Sequence, residues 1–299
     1  MCNRAAFERL ILAFRAFLPG GGGPPQTESR SPNCTSVPNA MPFQLDVYAL
    51  PDYVSPEDLE GGVAVVIDVL RASTSIVHAL EADAKDVLPC VDVDEARRLH
   101  AALRAEGALL TGERNALPLE GFDLGNSPDA FTPEAVRGRS VVMTTTNGTR
   151  ALARCRRAKR IFVGSFVNAA AVVRAVSESE RIQLICAGTV GEITREDVLL
   201  AGLLVDRLLR LGDKTYQLNA QAATALEGWR HVLPAPCAAD PTGAVIPELA
   251  RVLRTTLGGS RVIRAGCEDD IDAAARLDRF SCVPELLPGD FRIVPSRSG

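Results

Sequence analysis

The stretch V-A-V-V-I-D-V-L-R-A-S-T-S-I, residues 63–76, decides the fold. An apolar strand runs into Asp68, and Arg71, Ser73 and Thr74 follow where a helix should start. Strand-to-helix junctions of this kind build α/β proteins, whose ligands sit at the carboxyl ends of strands, where free peptide N–H groups and the positive helix end attract anions. On that reading Asp68 holds a divalent cation and Arg71 grips an oxyanion. The plainer reading has Asp68 and Ser73 capping the helix, with Arg71 in solvent.

The same alternation continues on both sides. Strand candidates fall at 43–49, 63–69, 86–91, 108–111, 140–144, 160–164 and 181–186, with helical patterns between them at 72–82, 93–106, 147–156, 167–178 and 195–211. They predict an α/β fold with a mainly parallel sheet flanked by helices. The last third is more helical, with segments 218–230, 240–257 and 268–276, and late short strands at 279–283 and 291–294. Helix 195–211 is rich enough in Leu and Val for burial on several sides, in the core or at a homodimer face. Residues 1–40 differ in character: an apolar patch from Leu10 to Leu18, broken by Arg15, precedes a Gly/Pro run and a polar stretch. We expect a flexible N-terminal extension there, then a unit of about 255 residues from Met41, with a two-lobe boundary, if any, near 234–241.

Composition narrows the function classes. The 299 residues are 46% hydrophobic and 23% charged, as in a globular protein. A net charge of −4 and 5% aromatics offer neither a positive field for nucleic acid nor base-stacking platforms. No apolar run of about 18 residues exists to cross a bilayer, so a cytoplasmic protein without membrane contact is expected. Lys85, Lys159 and Lys214 are the only lysines among 33 basic residues, so any anion site must be built from arginine forks. The eight cysteines are scattered without a C-x-x-C and read as reduced, mostly buried thiols. The three histidines are dispersed, which leaves carboxylates to hold any metal.

Three further segments carry chemistry. In V-V-M-T-T-T-N-G-T-R-A-L, residues 141–152, Thr144, Thr145, Thr146, Asn147 and Thr149 surround Gly148, a turn suited to cradle phosphate. Its plainer reading is a turn with redundant helix caps. T-G-E-R-N-A-L-P-L-E-G-F-D-L-G-N-S-P, residues 111–128, has no helical or alternating period and reads as a long loop walling a site with Glu113, Arg114, Asn115, Asp123 and Asn126. I-C-A-G-T-V-G-E-I-T-R-E-D-V-L-L-A-G, residues 185–202, repeats strand, glycine turn and helix start with Glu192, Glu196 and Asp197 close together. Thr194 and Asp197 also match a capping box, so one of these acids is expected to serve a metal and the rest to be structural. Signatures of P-loop kinases, Rossmann dehydrogenases, α/β-hydrolases and zincins are missing from the chain.

Taken in order, V-I-D-V-L-R-A-S-T, G-E-R with G-F-D-L-G-N-S-P, T-T-N-G-T-R-A, and C-A-G-x-x-G with E-D-V-L-x-A-G resemble the 2-phosphosulfolactate phosphatase family, from Met41 to the V-P-E-L near Val283. The resemblance implies a magnesium-dependent phosphatase that converts 2-phosphosulfolactate to sulfolactate, a step of coenzyme M biosynthesis. Two departures bear on substrate choice: Arg195 stands where the family often has Leu, and residues 258–270 replace a Ser/His/Gly element and add Arg261 and Arg264.

The expected site follows. Asp68 holds Mg2+ with help from Glu113 or Asp197, or instead attacks phosphorus. Arg71 and Asn147 join Asp68 as catalytic groups. Thr145, Thr146, Asn147, Gly148 and Thr149 cradle the phosphoryl oxygens, while Arg71, Arg114, Asn126 and Arg150 bind the anionic groups of a small phosphorylated substrate. Two rivals remain open: a phosphatase for another small 2-phospho acid, and a binder of such acids that does no chemistry.

Overall fold

The computed structural model describes residues 42–233 and 245–296. The expected N-terminal extension and the boundary near 234–241 lie outside the described residues.

The apolar runs form strands where the alternation places them: β1 (Phe43–Tyr48), β2 (Val63–Ile67), β3 (Asp86–Cys90), β4 (Leu109–Arg114), β6 (Ser140–Thr144), β7 (Arg160–Gly164) and β8 (Arg181–Cys186). β5 (Leu117–Pro118), β9 (Tyr216–Leu218), β10 (Pro284–Leu287) and β11 (Arg292–Pro295) complete the set. The helices are α1 (Ala72–Glu81), α2 (Val93–Leu103), α3 (Pro133–Val136), α4 (Gly148–Arg154), α5 (Ala169–Val176), α6 (Arg195–Leu211), α7 (Ala220–Val232), α8 (Pro247–Arg254), α9 (Leu257–Arg264) and α10 (Asp269–Ala274).

The described strands form one sheet in the order β5-β4-β6-β3-β11-β10-β7-β2-β8-β1-β9. It contains two parallel blocks, β4-β6-β3 and β7-β2-β8-β1-β9. The late hairpin β10–β11 joins them through antiparallel pairing on both of its sides. Every residue of β2 is buried, as expected for a parallel strand covered on both faces. Val63, Val65 and Ile67 pack with α5 to α9 on one side, whereas Ala64 and Val66 face α1, α4 and side chains from both blocks.

Five strand spacings of about 4.8 Å separate β6 from β2, so a flat sheet would hold their ends roughly 24 Å apart. Instead Gly148, just past β6, lies against the Asp68 carboxylate just past β2. The sheet is therefore curled around the core that α1 fills. Ala72 to Leu80 of α1 are all buried, which a helix surrounded by protein requires.

Helix α6 is core. Leu199, Leu200, Leu203, Leu204 and Leu208 are buried within the chain, and its helical partner is α7. Gly202 makes that approach possible, since a Cβ there would stand 2.1 Å from the Ala225 carbonyl oxygen. Gly202→Ala should cost about 1–3 kcal/mol through overpacking, measured by urea unfolding. Unchanged stability would mean that the helices can separate freely.

The last third departs from the expected boundaries. The segment 279–283 is not a strand: the Asp278 and Phe280 amides donate to Phe166 and Val167 carbonyls, and pairing begins at Pro284. Helix 240–257 is described only as α8, which ends at Arg254, and α9 follows after Thr256, whose hydroxyl caps it by accepting from the Gly259 amide. Paired glycines at 258 and 259 weaken the helical signal there. Both are needed for close approach, Gly258 to Glu196 and Gly259 to the Leu253 carbonyl. Cys90, Cys155, Cys186, Cys267 and Cys282 are free thiols, as expected. No described helix is long and apolar enough to cross a membrane.

Candidate active site

Asp68 leaves β2 into a turn that its own neighbours close. The Asp68 amide donates to the Ser73 hydroxyl at 2.8 Å, and the Ser73 amide returns a bond to the Asp68 carbonyl at 2.9 Å. Ser73 thus closes the turn, and the Asp68 carboxylate, which accepts from the Ala72 amide at 3.4 Å, faces a small polar cavity. That cavity is lined by Asp68, Arg71, Glu113, Asn126 and the Thr145–Asn147 turn, together with α9 residues. Burial is the largest influence on the Asp68 carboxyl and Glu113 the next; they push it up to about 7 against the Ala72 and Gly148 amides, with Glu196 adding to the rise.

Arg71 is not in solvent. Only 5% exposed, it directs one terminal nitrogen to Asp270 at 2.6 Å and the other to the Ala116 carbonyl at 2.7 Å. The second Asp270 oxygen accepts from the Ser127 hydroxyl. A fully buried arginine held on two sides presents a fixed fork to the cavity.

The threonine-rich turn is a set of cross-links more than a cap. Thr146 donates both its amide and its hydroxyl to Glu113 Oε1, each at 2.8 Å. Asn147 accepts from the Val190 amide at 2.9 Å, which ties this turn to the glycine turn after β8. Only Thr145 serves the helix, accepting from the Thr149 amide at 3.3 Å, while the Thr149 hydroxyl donates to the Thr145 carbonyl. Gly148 is needed, because a Cβ would come within 2.8 Å of Asp68 Oδ2 and 2.7 Å of the Ala72 methyl. Asn126, 3% exposed, lines the cavity with its side-chain Oδ1 unpartnered.

The segment read as a long loop from 111 is partly a tight hairpin. β4 runs on to Arg114 and pairs with β5, and Asn115 and Ala116 form a two-residue turn with φ of 55° and 66°. Glu113 Oε2 accepts from the Ala116 amide at 2.9 Å, which fixes the hairpin tip at the cavity mouth.

Four expected site side chains are elsewhere, one of them Thr149, which is buried outside the cavity lining with its hydroxyl spent on the Thr145 carbonyl. Asp197 does not line the cavity: its carboxylate accepts from the Val69 and Gly188 amides and the Thr194 hydroxyl, so it staples the turns after β2 and β8 together. Arg114 turns back to the Glu113 carbonyl and the Thr144 hydroxyl. Arg150 is exposed on α4 and lines no part of the cavity. Glu192 is exposed, whereas Glu196 is buried with Oε2 unpartnered, near enough to Asp68 to raise its carboxyl. Among the described residues no three His, Cys, Asp or Glu side chains gather as a metal cage, so the trio Asp68, Glu113 and Asp197 is not assembled as one.

The family model for 2-phosphosulpholactate phosphatase matches residues 48–288, a span that holds every element of this cavity. The chain belongs to that family. A relative from Caldicellulosiruptor saccharolyticus is 37% identical over 239 residues, covering 78% of this chain and 92% of the relative. One from Thermotoga petrophila is 39% identical with the same coverage of each chain. One from Deinococcus radiodurans is 40% identical over 252 residues, covering 83% and 95%. All three bear the name "Probable 2-phosphosulfolactate phosphatase".

Within this family member, sequence reasoning missed Asp270 as the partner of Arg71 and Thr189 and Gly258 in the cavity wall. Thr189 sits in the quoted glycine turn and was findable there. Asp270 lies 199 residues from Arg71, and no local pattern links them. Of the departing arginines, Arg195 is exposed away from the cavity, and Arg261 lines it.

Proposed function

We propose that the chain hydrolyses 2-phosphosulfolactate to sulfolactate and phosphate in a magnesium-dependent reaction. The observation that carries this reading is the convergence of Asp68, Arg71, Asn126 and the Thr145–Asn147 turn on one cavity. Its volume of 40 Å3 has room for about three water molecules, which suits a phosphoryl group.

The donor set fits magnesium. Mg2+ is commonly held by one or two carboxylates, with waters and substrate phosphate completing its shell, so a protein cage of three ligands is not required. Asp68 is a buried carboxylate with no ion-pair partner among the described residues, which is the environment a hard cation relieves. Of the cavity's two guanidiniums Arg71 is paired with Asp270, and Arg261, unpaired among the described residues, shares the lining with two carboxylates, Asp68 and Glu113. A polyanionic substrate would therefore meet no excess of positive charge without a cation. Asp68 would hold the magnesium, with Glu113 beside it; bound there, the ion would offset charge on the phosphoryl oxygens.

The chain's own groups do the rest. Arg71, fixed by Asp270 and Ala116, orients the phosphoryl group, and the Asn126 amide and the 145–147 turn wall off its other side. Hydrolysis breaks the bond from phosphorus to the ester oxygen of the substrate and forms one to a water oxygen. The alcohol of sulfolactate takes one proton of that water, and the remainder leaves as phosphate.

The test is phosphate release from 2-phosphosulfolactate with and without magnesium. Release that needs the metal and is removed by EDTA is expected. Equal release after chelation would overturn the metal assignment, and no release in its presence would overturn the activity.

A further inference from the structure

Beside the phosphoryl-sized cavity lies a second and larger one, of 320 Å3, lined by Asn115, Leu117, Arg261, Arg264 and Ala265. Asn115 and Arg261 line both, so they stand at the junction. The two cavity arginines differ in a way that assigns them different work. Arg71 spends one N–H of each terminal nitrogen on holding its own position, against Asp270 and the Ala116 carbonyl. Arg261 is half-buried on α9, and among the described residues no carboxylate pairs with its guanidinium. It borders the place where the phosphoryl group is held and has its charge to offer.

We propose that Arg261 is the specificity-determining residue that grips the sulfonate of the substrate at the junction of the two cavities. This rests on the activity proposed above. The carboxylate and the phosphate ester share one carbon, so the carboxylate stays close to the phosphoryl group. The sulfonate is borne by the next carbon and reaches further out. The inner cavity has room for about three water molecules, so with the phosphoryl group seated there the sulfonate is placed toward the larger space. A guanidinium fork with free donors matches the oxygens of a tetrahedral anion in charge and geometry. The Asn115 side of the junction is rigid, because the hairpin tip is held by Glu113 and by Arg71.

The experiment compares 2-phosphosulfolactate with 2-phospholactate, which has a methyl group where the first has its sulfonate-bearing carbon, in wild type, Arg261→Gln and Arg261→Lys. Arg261→Gln should lower kcat/KM for 2-phosphosulfolactate by about 10- to 100-fold, mainly through KM, and leave that for 2-phospholactate within about threefold. Arg261→Lys should recover part of the loss. Equal losses on both substrates, or no loss on either, overturn the assignment. Should wild type release no phosphate from 2-phosphosulfolactate, the proposed activity falls, and the assignment is judged by thermal shifts with 3-sulfolactate and lactate. A larger shift with sulfolactate that vanishes in Arg261→Gln supports it, and equal shifts in the two proteins overturn it.

Discussion

Asp68→Asn should abolish phosphate release, by about a thousandfold or more, and at the same time raise the stability of the metal-free protein above neutral pH. The loss follows from removing a carboxylate that is buried, lines the cavity and, unlike Glu113 with both oxygens hydrogen-bonded to the Thr146 and Ala116 amides, stands at the end of β2 against the Gly148 turn. The gain follows from linkage. The Asp68 carboxyl ionises near 3.8 when the chain is unfolded and is pushed up to about 7 when folded, by burial first and Glu113 second. The native state therefore binds this proton more tightly. Its contribution is complete below pH 4 and is lost as pH rises through about 7.

At about 1.4 kcal/mol per pH unit, that window corresponds to roughly 4 kcal/mol, lost by the wild type at pH 8 and not by an amide that cannot ionise. The amide faces the Gly148 N–H with a donor, which returns about 1–2 kcal/mol of cost. A net gain of about 2 kcal/mol, or a Tm higher by roughly 4–8 °C at pH 8, is expected, with little or no gain at pH 4. Parallel Tm curves for the two proteins from pH 4 to 8 would show that the Asp68 carboxyl is not perturbed.

Asp270→Ala should destabilise the protein by about 3–5 kcal/mol and slow turnover by about 100-fold or more. Asp270 and Arg71 are both buried and meet at 2.6 Å, so truncation leaves a guanidinium in the interior with neither counter-charge nor water. The same change releases the arm that aims Arg71 into the cavity and frees the Ser127 hydroxyl. Replacing both partners, Arg71→Met with Asp270→Leu, removes the stranded charge. It should recover much of the stability and none of the activity. Chemical denaturation and phosphate release on the three proteins check this: a single variant within about 1 kcal/mol of wild type would mean that the pair holds nothing in place.

The strand-turn-helix units were legible because each writes its own local signal. β2, β6 and β8 are largely apolar runs followed by small or polar residues, and a helix start follows each within about ten residues. Asp68, Thr145, Thr146 and Asn147 could be picked out since they occupy the carboxyl ends of those strands. The expectation failed where one residue type serves two purposes. Thr194 and Asp197 look alike as a cap or as part of a metal site, and the difference lies in the Val69 and Gly188 amides, which arrive from other turns. Arg114 and Arg71 both lie at or just past strand ends. One folds back on its own strand and the other finds Asp270, which no spacing near either residue foretells. The hairpin at 114–117 was hidden because Ala116 takes a left-handed conformation usually signalled by Gly or Asn.

The sequence by itself determined the α/β class, the sites where chain ends meet open strand termini, and the family. Only the tertiary structure decided that those termini meet. Strand order runs through the late hairpin β10–β11, which separates β2 from β6 by four intervening strands. Curling of the sheet around the buried helix α1 then brings Asp68 against Gly148. Apolar patterning records which faces of each strand are buried. It carries no record of which buried faces share a core, because that is settled by the joint packing of segments far apart in the chain.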